Sequence, residues 1–165
     1  MAQQDRFTSE EWALLRLAPA LVASGVTAAD PSGIFSSIKE SVAAAKGVAE
    51  AFKANTSLEL FAALAADRSI PGMPDPKSLV GDGSREQQME SLKNAVLERV
   101  RSAEAVVGAK ATMAEAEAYR QMLVSVAEQA ANASREGGFL GFGGVRVSDK
   151  EHAFITEVKA ATASA

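Results

Sequence analysis

Cysteine is absent from these 165 residues, and histidine occurs once. The first absence removes disulfides, thiolate metal sites and thiol nucleophiles together, and it fits a reducing compartment. The second leaves any conventional transition-metal site to carboxylates, and the paired Glu-x-x-His motifs of a di-iron bundle cannot be assembled from His152 alone. Aromatic residues make up only 5% of the chain. A basic excess is missing too, with 17 Lys+Arg set against 21 Asp+Glu and a formal net charge of −4. Proteins that bind nucleic acid carry a basic stripe to displace counterions from phosphates, so nucleic acid is not an expected partner. Long apolar runs are lacking. The longest, Leu17 to Ala29, falls short of a bilayer's width and ends in Asp30-Pro31. The opening residues, Met1-Ala2-Gln3-Gln4-Asp5-Arg6, lack the basic-then-apolar layout of a secretory signal. A soluble, cytoplasmic protein without a cofactor is expected.

What the chain has in quantity is alanine, about a fifth of all residues, and helix-start signals. Thr8-Ser9-Glu10-Glu11 is a capping box, flanked by Phe7 and Trp12 at the positions of a hydrophobic staple. A first helix over about 9–28 follows. Trp12, Leu14, Leu15, Leu17, Ala18, Leu21, Val22 and Val26 cover most of its circumference, which predicts the central helix. Pro19 inside it removes one backbone donor and predicts a kink or a break. Asp30-Pro31 opens a second helix over about 31–54, with a stripe of Ile34, Ile38, Val42, Ala45, Ala49 and Phe52. Thr56-Ser57-Leu58-Glu59 reads as another capping box, before a short helix that stops near Asp67. Residues 68–83 collect Pro71, Pro74, Pro76, Gly72, Gly81 and Gly83 and predict a long irregular connection.

Ser84-Arg85-Glu86-Gln87 opens a long helix to about Val107, with Gly108 as its stop. Thr112-Met113-Ala114-Glu115 opens the next, to about Arg135, and the short link makes an antiparallel pair. Ser148-Asp149-Lys150-Glu151 starts a short C-terminal helix with Phe154, Ile155, Val158 and Ala161 inward. No stretch sustains period-two alternation. The sequence therefore predicts an all-α fold: one domain over 1–165, a helical bundle of four long helices plus short ones with antiparallel neighbours. Alanine stripes bury little area per residue, which makes homo-oligomerisation a physical expectation.

The segment 136–147 is the most unusual: five glycines surround Phe139, Leu140 and Phe142. Three apolar side chains do not lie free in water, so they either plug one end of the bundle or engage a partner. Phe139, Leu140 and Phe142 are the candidate partner-binding residues; membrane contact through them is the less favoured alternative. No Lys-Ser/Thr or strand–Gly-x-Gly-x-x-Gly–helix context makes this loop a phosphate cradle. Trp12 is expected to be a packing residue, and Arg16, on a narrow polar strip, needs Glu11 or a carboxylate of another helix. Glu115 and Glu117 lie on nearly opposite arcs and are no carboxylate pair. His152 is expected as a surface or partly packed residue, and Asp67, Asp75 and Asp82 as solvated loop acids.

Ser9-Glu10-Glu11-Trp12 continuing to Ala18-Pro19, together with residues 136–148 (EGGFLGFGGVRVS), resembles a small uncharacterised bacterial helical family over most of the chain. Residues 28–33 and 144–151 are also similar, more distantly, to the two acidic helix-start segments of tellurite-resistance-type helical domains. That resemblance implies cation binding and a part in stress-response complexes. Asp30 is here followed by Pro31, and Gly143 stands where a second Asp belongs, so only Asp30 and Glu151 transfer. Two functions follow as expectations. The first is a non-enzymatic helical interaction or scaffold protein that binds a protein partner or itself through the glycine-rich loop. The alternative is a cation-responsive domain using carboxylates near Asp30 and Glu151.

Overall fold

A computed structural model describes residues 3–29, 47–69, 78–79, 81–136 and 149–163. Its described residues contain helices and no strand, so the fold is all-α. After a 3-10 turn at Gln3–Arg6 come α1 (Ser9–Ala29), α2 (Glu59–Ala66), α3 (Arg85–Lys110), α4 (Met113–Glu136) and α5 (Asp149–Ala163). Residues 47–53 are also helical and turn at 54–57. Helices α1, α3, α4 and α5 each touch the other three, and α2 rests on the N-terminal 3-10 turn.

The start of α1 forms as its residues dictate. The Thr8 amide donates to Glu11 Oε2 at 2.7 Å, and the Glu11 amide returns to the Thr8 hydroxyl at 3.2 Å. Phe7 and Trp12 are both buried, with ring centroids 5.8 Å apart. Leu15, Ala18, Leu21, Val22 and Val26 are buried along its length, as a helix packed on several sides requires. Gly25 completes this: the Phe154 ring lies so close that a Cβ at position 25 would sit 2.7 Å from its Cζ. A side chain there would hold α5 away from α1.

Pro19 does not break α1, which is continuous from Ser9 to Ala29. Proline has no N–H to offer the carbonyl four residues back, which belongs to Leu15. The Tyr119 hydroxyl, wholly buried on α4, donates to that Leu15 oxygen at 2.8 Å. The orphan acceptor is thus satisfied from a neighbouring helix, as buried backbone oxygens must be.

Two other boundaries differ from the sequence expectation. Gly108 does not end α3, which runs on to Lys110 and leaves a two-residue link to α4. An exposed glycine in a last turn costs about 1 kcal/mol, less than the packing of Val107 and the neighbouring turn supplies. The Thr56–Glu59 capping box does not form; the N-cap of α2 is Leu58, which makes no side-chain cap. The Leu60 amide is capped instead by Glu115 Oε1 from α4, at 2.9 Å. The box at Ser84 and Gln87 does form, with the Gln87 amide on the Ser84 hydroxyl at 3.3 Å and Ser84's own amide on Gln87 Oε1 at 3.0 Å. Of the second helix read over 31–54, only its last turns fall among the described residues; Phe52 is buried there and Ala49 exposed. Gly81 has a φ of +65° at the end of the Pro/Gly-rich connection, a left-handed turn that glycine adopts without strain. No helix among the described residues is long and apolar enough to cross a membrane.

Candidate functional site

Phe139, Leu140 and Phe142, the partner-binding residues read from the sequence, lie outside the described residues, as does Asp30. Glu151 is buried on α5, and His152 beside it is exposed. Among the described residues, no three His, Cys, Asp or Glu side chains gather in a way that would hold a metal ion.

Arg16 finds the carboxylate it needs, on the segment leaving α2. Its guanidinium lies 3.3 Å from Asp67 Oδ2, and it donates to the Asp67 carbonyl at 3.0 Å, the Ser69 hydroxyl at 2.6 Å and the Ser69 carbonyl. The Trp12 indole N–H also donates to Asp67 Oδ2, at 2.8 Å. Asp67 is therefore not a solvated loop acid. Hydrogen bonds from Ser69 and Trp12 hold its carboxyl down at about 2. Trp12 packs, as expected, and its polar edge joins a clasp between α1 and the end of α2. Alongside, Lys110 closes an ion pair with Glu11 at 2.6 Å.

Glu115 is the second polar centre at this end. Its Oε2 accepts from the Thr112 amide at 2.9 Å and hydroxyl at 3.0 Å, while Oε1 takes the Leu60 amide. Burial pushes this carboxyl up, but those hydrogen bonds outweigh it and hold it below the ordinary glutamate range. Glu117, on the other arc of α4, is exposed. Asp67 and Glu115 are thus committed to holding helices together.

Among the described residues, a groove of about 310 Å³ lies between residues 47–55 and α4. Gly47, Ala51, Ala54, Ala118 and Met122 give it small, apolar walls; Glu50, Asn55, Gln121, Ser125 and Gln129 give it a polar lining. Gln129 donates to the Ser125 hydroxyl at 3.1 Å, and Gln121 donates to Glu117 Oε1 at 3.0 Å. Glu117 in turn accepts from Arg120 Nη1 at 2.9 Å, and Arg120 Nε lies 3.5 Å from Glu104 Oε2 on α3. A chain of polar side chains thus leads from the groove into the core.

Glu104 at its inner end is 1% exposed, and neither carboxyl oxygen has a hydrogen-bond partner; Arg120 Nε has none either. Sequence reasoning missed this residue. Its place beside Ala103 and Val107 on the buried face of α3 was the available signal, because a carboxyl in an apolar stripe must be paired or neutral. The groove was likewise invisible, since it exists only where residues 47–55 lie beside α4.

No family model matches the chain, and neither a curated protein nor a solved structure shows detectable similarity to it. The two resemblances seen in the sequence therefore rest on their own residues alone.

Proposed function

We propose that this chain is a helical interaction protein, which works by presenting contact surfaces to a protein partner or to a second copy of itself and not by catalysis. The groove between residues 47–55 and α4 is the observation that supports this most. Alanine and glycine walls let another backbone approach closely, as small residues do wherever helices pack tightly. The amides of Asn55, Gln121 and Gln129 and the Ser125 hydroxyl suit the uncharged polar groups of a polypeptide. We take Phe139, Leu140 and Phe142 as a second contact surface, on the strength of their apolar character between glycines.

The same reading treats α1, α3, α4 and α5 as a bundle with opposed neighbours. Glu11 meets Lys110 at one level of α1 and α3, Gly25 lies beside Val96 at another, and two residues join α3 to α4. A homo-oligomer is its expected state, because an alanine-rich core stabilises each helix weakly.

Sedimentation of the full chain, with helical content followed in parallel, tests the proposal. The expected species is a multiple of the 17.1 kDa chain. Ala118→Arg, which puts a long charged side chain into the groove, is expected to shift it toward monomer with helicity intact. Phe139→Ser with Phe142→Ser addresses the loop in the same way. Association unchanged by both sets of substitutions would remove both surfaces from the interface, and a monomer at every concentration would refute self-binding.

A further inference from the structure

We propose that Glu104, Arg120 and Glu117 form a proton-operated switch between α3 and α4, in which the charge on Glu104 decides whether the Arg120 guanidinium is held by Glu104 or by Glu117. Three geometric facts carry this. The Glu104 carboxyl is 1% exposed and both of its oxygens lack a hydrogen-bond partner. Arg120 Nε stands 3.5 Å from Oε2, also without a partner. The other edge of the same guanidinium makes a proper bond, Nη1 to Glu117 Oε2 at 2.9 Å.

An ionised carboxylate is retained in a protein interior only when it is paired and hydrogen-bonded. Glu104 as it stands is loosely paired and not hydrogen-bonded. The arrangement is that of the neutral acid, with the guanidinium leaning on Glu117 instead. When Glu104 loses its proton, water takes it where the half-open Arg120 side chain, 30% exposed, reaches the surface; the guanidinium itself stays charged and relays nothing. The new buried charge then outcompetes Glu117 for the guanidinium, and the 3.5 Å contact closes to a hydrogen bond through Nε–H. Glu117 gives up its share at little cost, because its side chain is 52% exposed and water replaces the lost donor.

The neighbours place this transition near neutrality. Burial raises the Glu104 carboxyl most, Arg120 opposes that, and Glu117 adds to it, with a result of about 7. Tyr119, a titratable group beside it, is raised well above its ordinary value by burial and then by Glu104, so its phenol stays neutral and bonded to Leu15. Four charges of α1 and α5 are engaged elsewhere: Glu11 with Lys110, Arg16 with Asp67, Glu157 with Lys93 and Lys159 with Glu128; Glu10, Asp149, Lys150 and His152 are exposed. Glu151 is buried on α5 but is not among the groups that act on Glu104. Because Glu117 Oε1 also holds Gln121 on the wall of the groove, the state of Glu104 reaches that surface. Only this last link rests on the groove being a contact surface.

The experiment follows the Arg120 Nε–H resonance and urea unfolding of the full chain from about pH 5 to 9. The resonance is expected to move with one inflection near neutrality, while stability falls from the acid end of the range up to that inflection and levels off above it. Glu104→Gln is expected to abolish both changes. Glu117→Gln, which removes a like charge and leaves a weaker, neutral acceptor, is expected to lower the midpoint, and Arg120→Gln to raise it. His152→Asn is expected to leave everything in place. A transition that survives in Glu104→Gln, or a resonance that does not move, overturns the switch. Should Glu104→Gln fail to fold, a midpoint unmoved by Glu117→Gln overturns it equally. Sedimentation of the same samples reports on the groove separately.

Discussion

Tyr119 is wholly buried and ends in a hydroxyl, an expensive combination unless that hydroxyl is used. It is used on the Leu15 carbonyl, the acceptor that Pro19 leaves without a helical donor. Tyr119→Phe is expected to cost about 1–3 kcal/mol, because the Leu15 oxygen stays buried and loses its partner. In a Pro19→Ala background the restored amide at position 19 serves that oxygen, so the cost of Tyr119→Phe should shrink; denaturant unfolding of the four variants measures the coupling. Gly25 makes a second argument about one atom. Alanine normally improves a helix interior by about 1 kcal/mol over glycine. Here the added methyl would lie 2.7 Å and 2.9 Å from Phe154 Cζ and Cε1, with the Val96 methyl at 3.4 Å. Gly25→Ala is therefore expected to destabilise by about 1–3 kcal/mol despite the better propensity. Phe154→Leu in the same chain should recover part of the loss.

Helix α2 shows how an element of eight residues is stabilised from outside. An isolated helix of that length does not hold in water, and Leu58 gives it no cap. Burial of Leu60, Phe61 and Leu64 and the Glu115 carboxylate on the Leu60 amide replace what its own sequence lacks. Glu115→Ala removes that cap and the Thr112 box of α4 together. A loss of about 1–3 kcal/mol is expected, with faster hydrogen exchange at Leu60 as the local signature. At its other end α2 is tied to α1 through Asp67, which faces both Trp12 and Arg16. Asp67→Ala leaves an indole N–H and a guanidinium, largely buried, without their carboxylate. Because Trp12 is the one tryptophan of the chain, its fluorescence reports directly on that clasp. The expected outcome is a changed emission maximum at unaltered total helicity, together with a lower denaturation midpoint.

For the molecule as a whole, these groups combine into one pH profile. Asp67, Glu115 and Glu11 have carboxyls held low in the folded state, so their stabilisation is present above about pH 4.5 and is lost as pH falls, for Asp67 between 3.8 and about 2. Glu104 has the opposite sign. Its carboxyl is raised from 4.5 to about 7, so stability is complete below 4.5 and declines as pH rises through 7, by about 3 kcal/mol in total. Thermal or urea unfolding should therefore peak near about pH 4.5 and fall on both sides, and Glu104→Gln should flatten the upper side alone. The all-α class, the boxes at Thr8 and Ser84, the staple of Phe7 on Trp12 and the apolar faces of α1 and α5 were legible in the chain itself, because each depends on residues close to one another along the chain. The partner of Arg16, the cap of Leu60, the donor for Leu15, the small-residue contact at Gly25 and the buried carboxyl of Glu104 were not. Each joins residues 51 to 129 positions apart, or depends on which neighbour covers a face. Local pattern specifies the helices and which side of each avoids water; only their packing assigns a buried polar atom its partner, since that partner lies on another helix whose position no local signal contains.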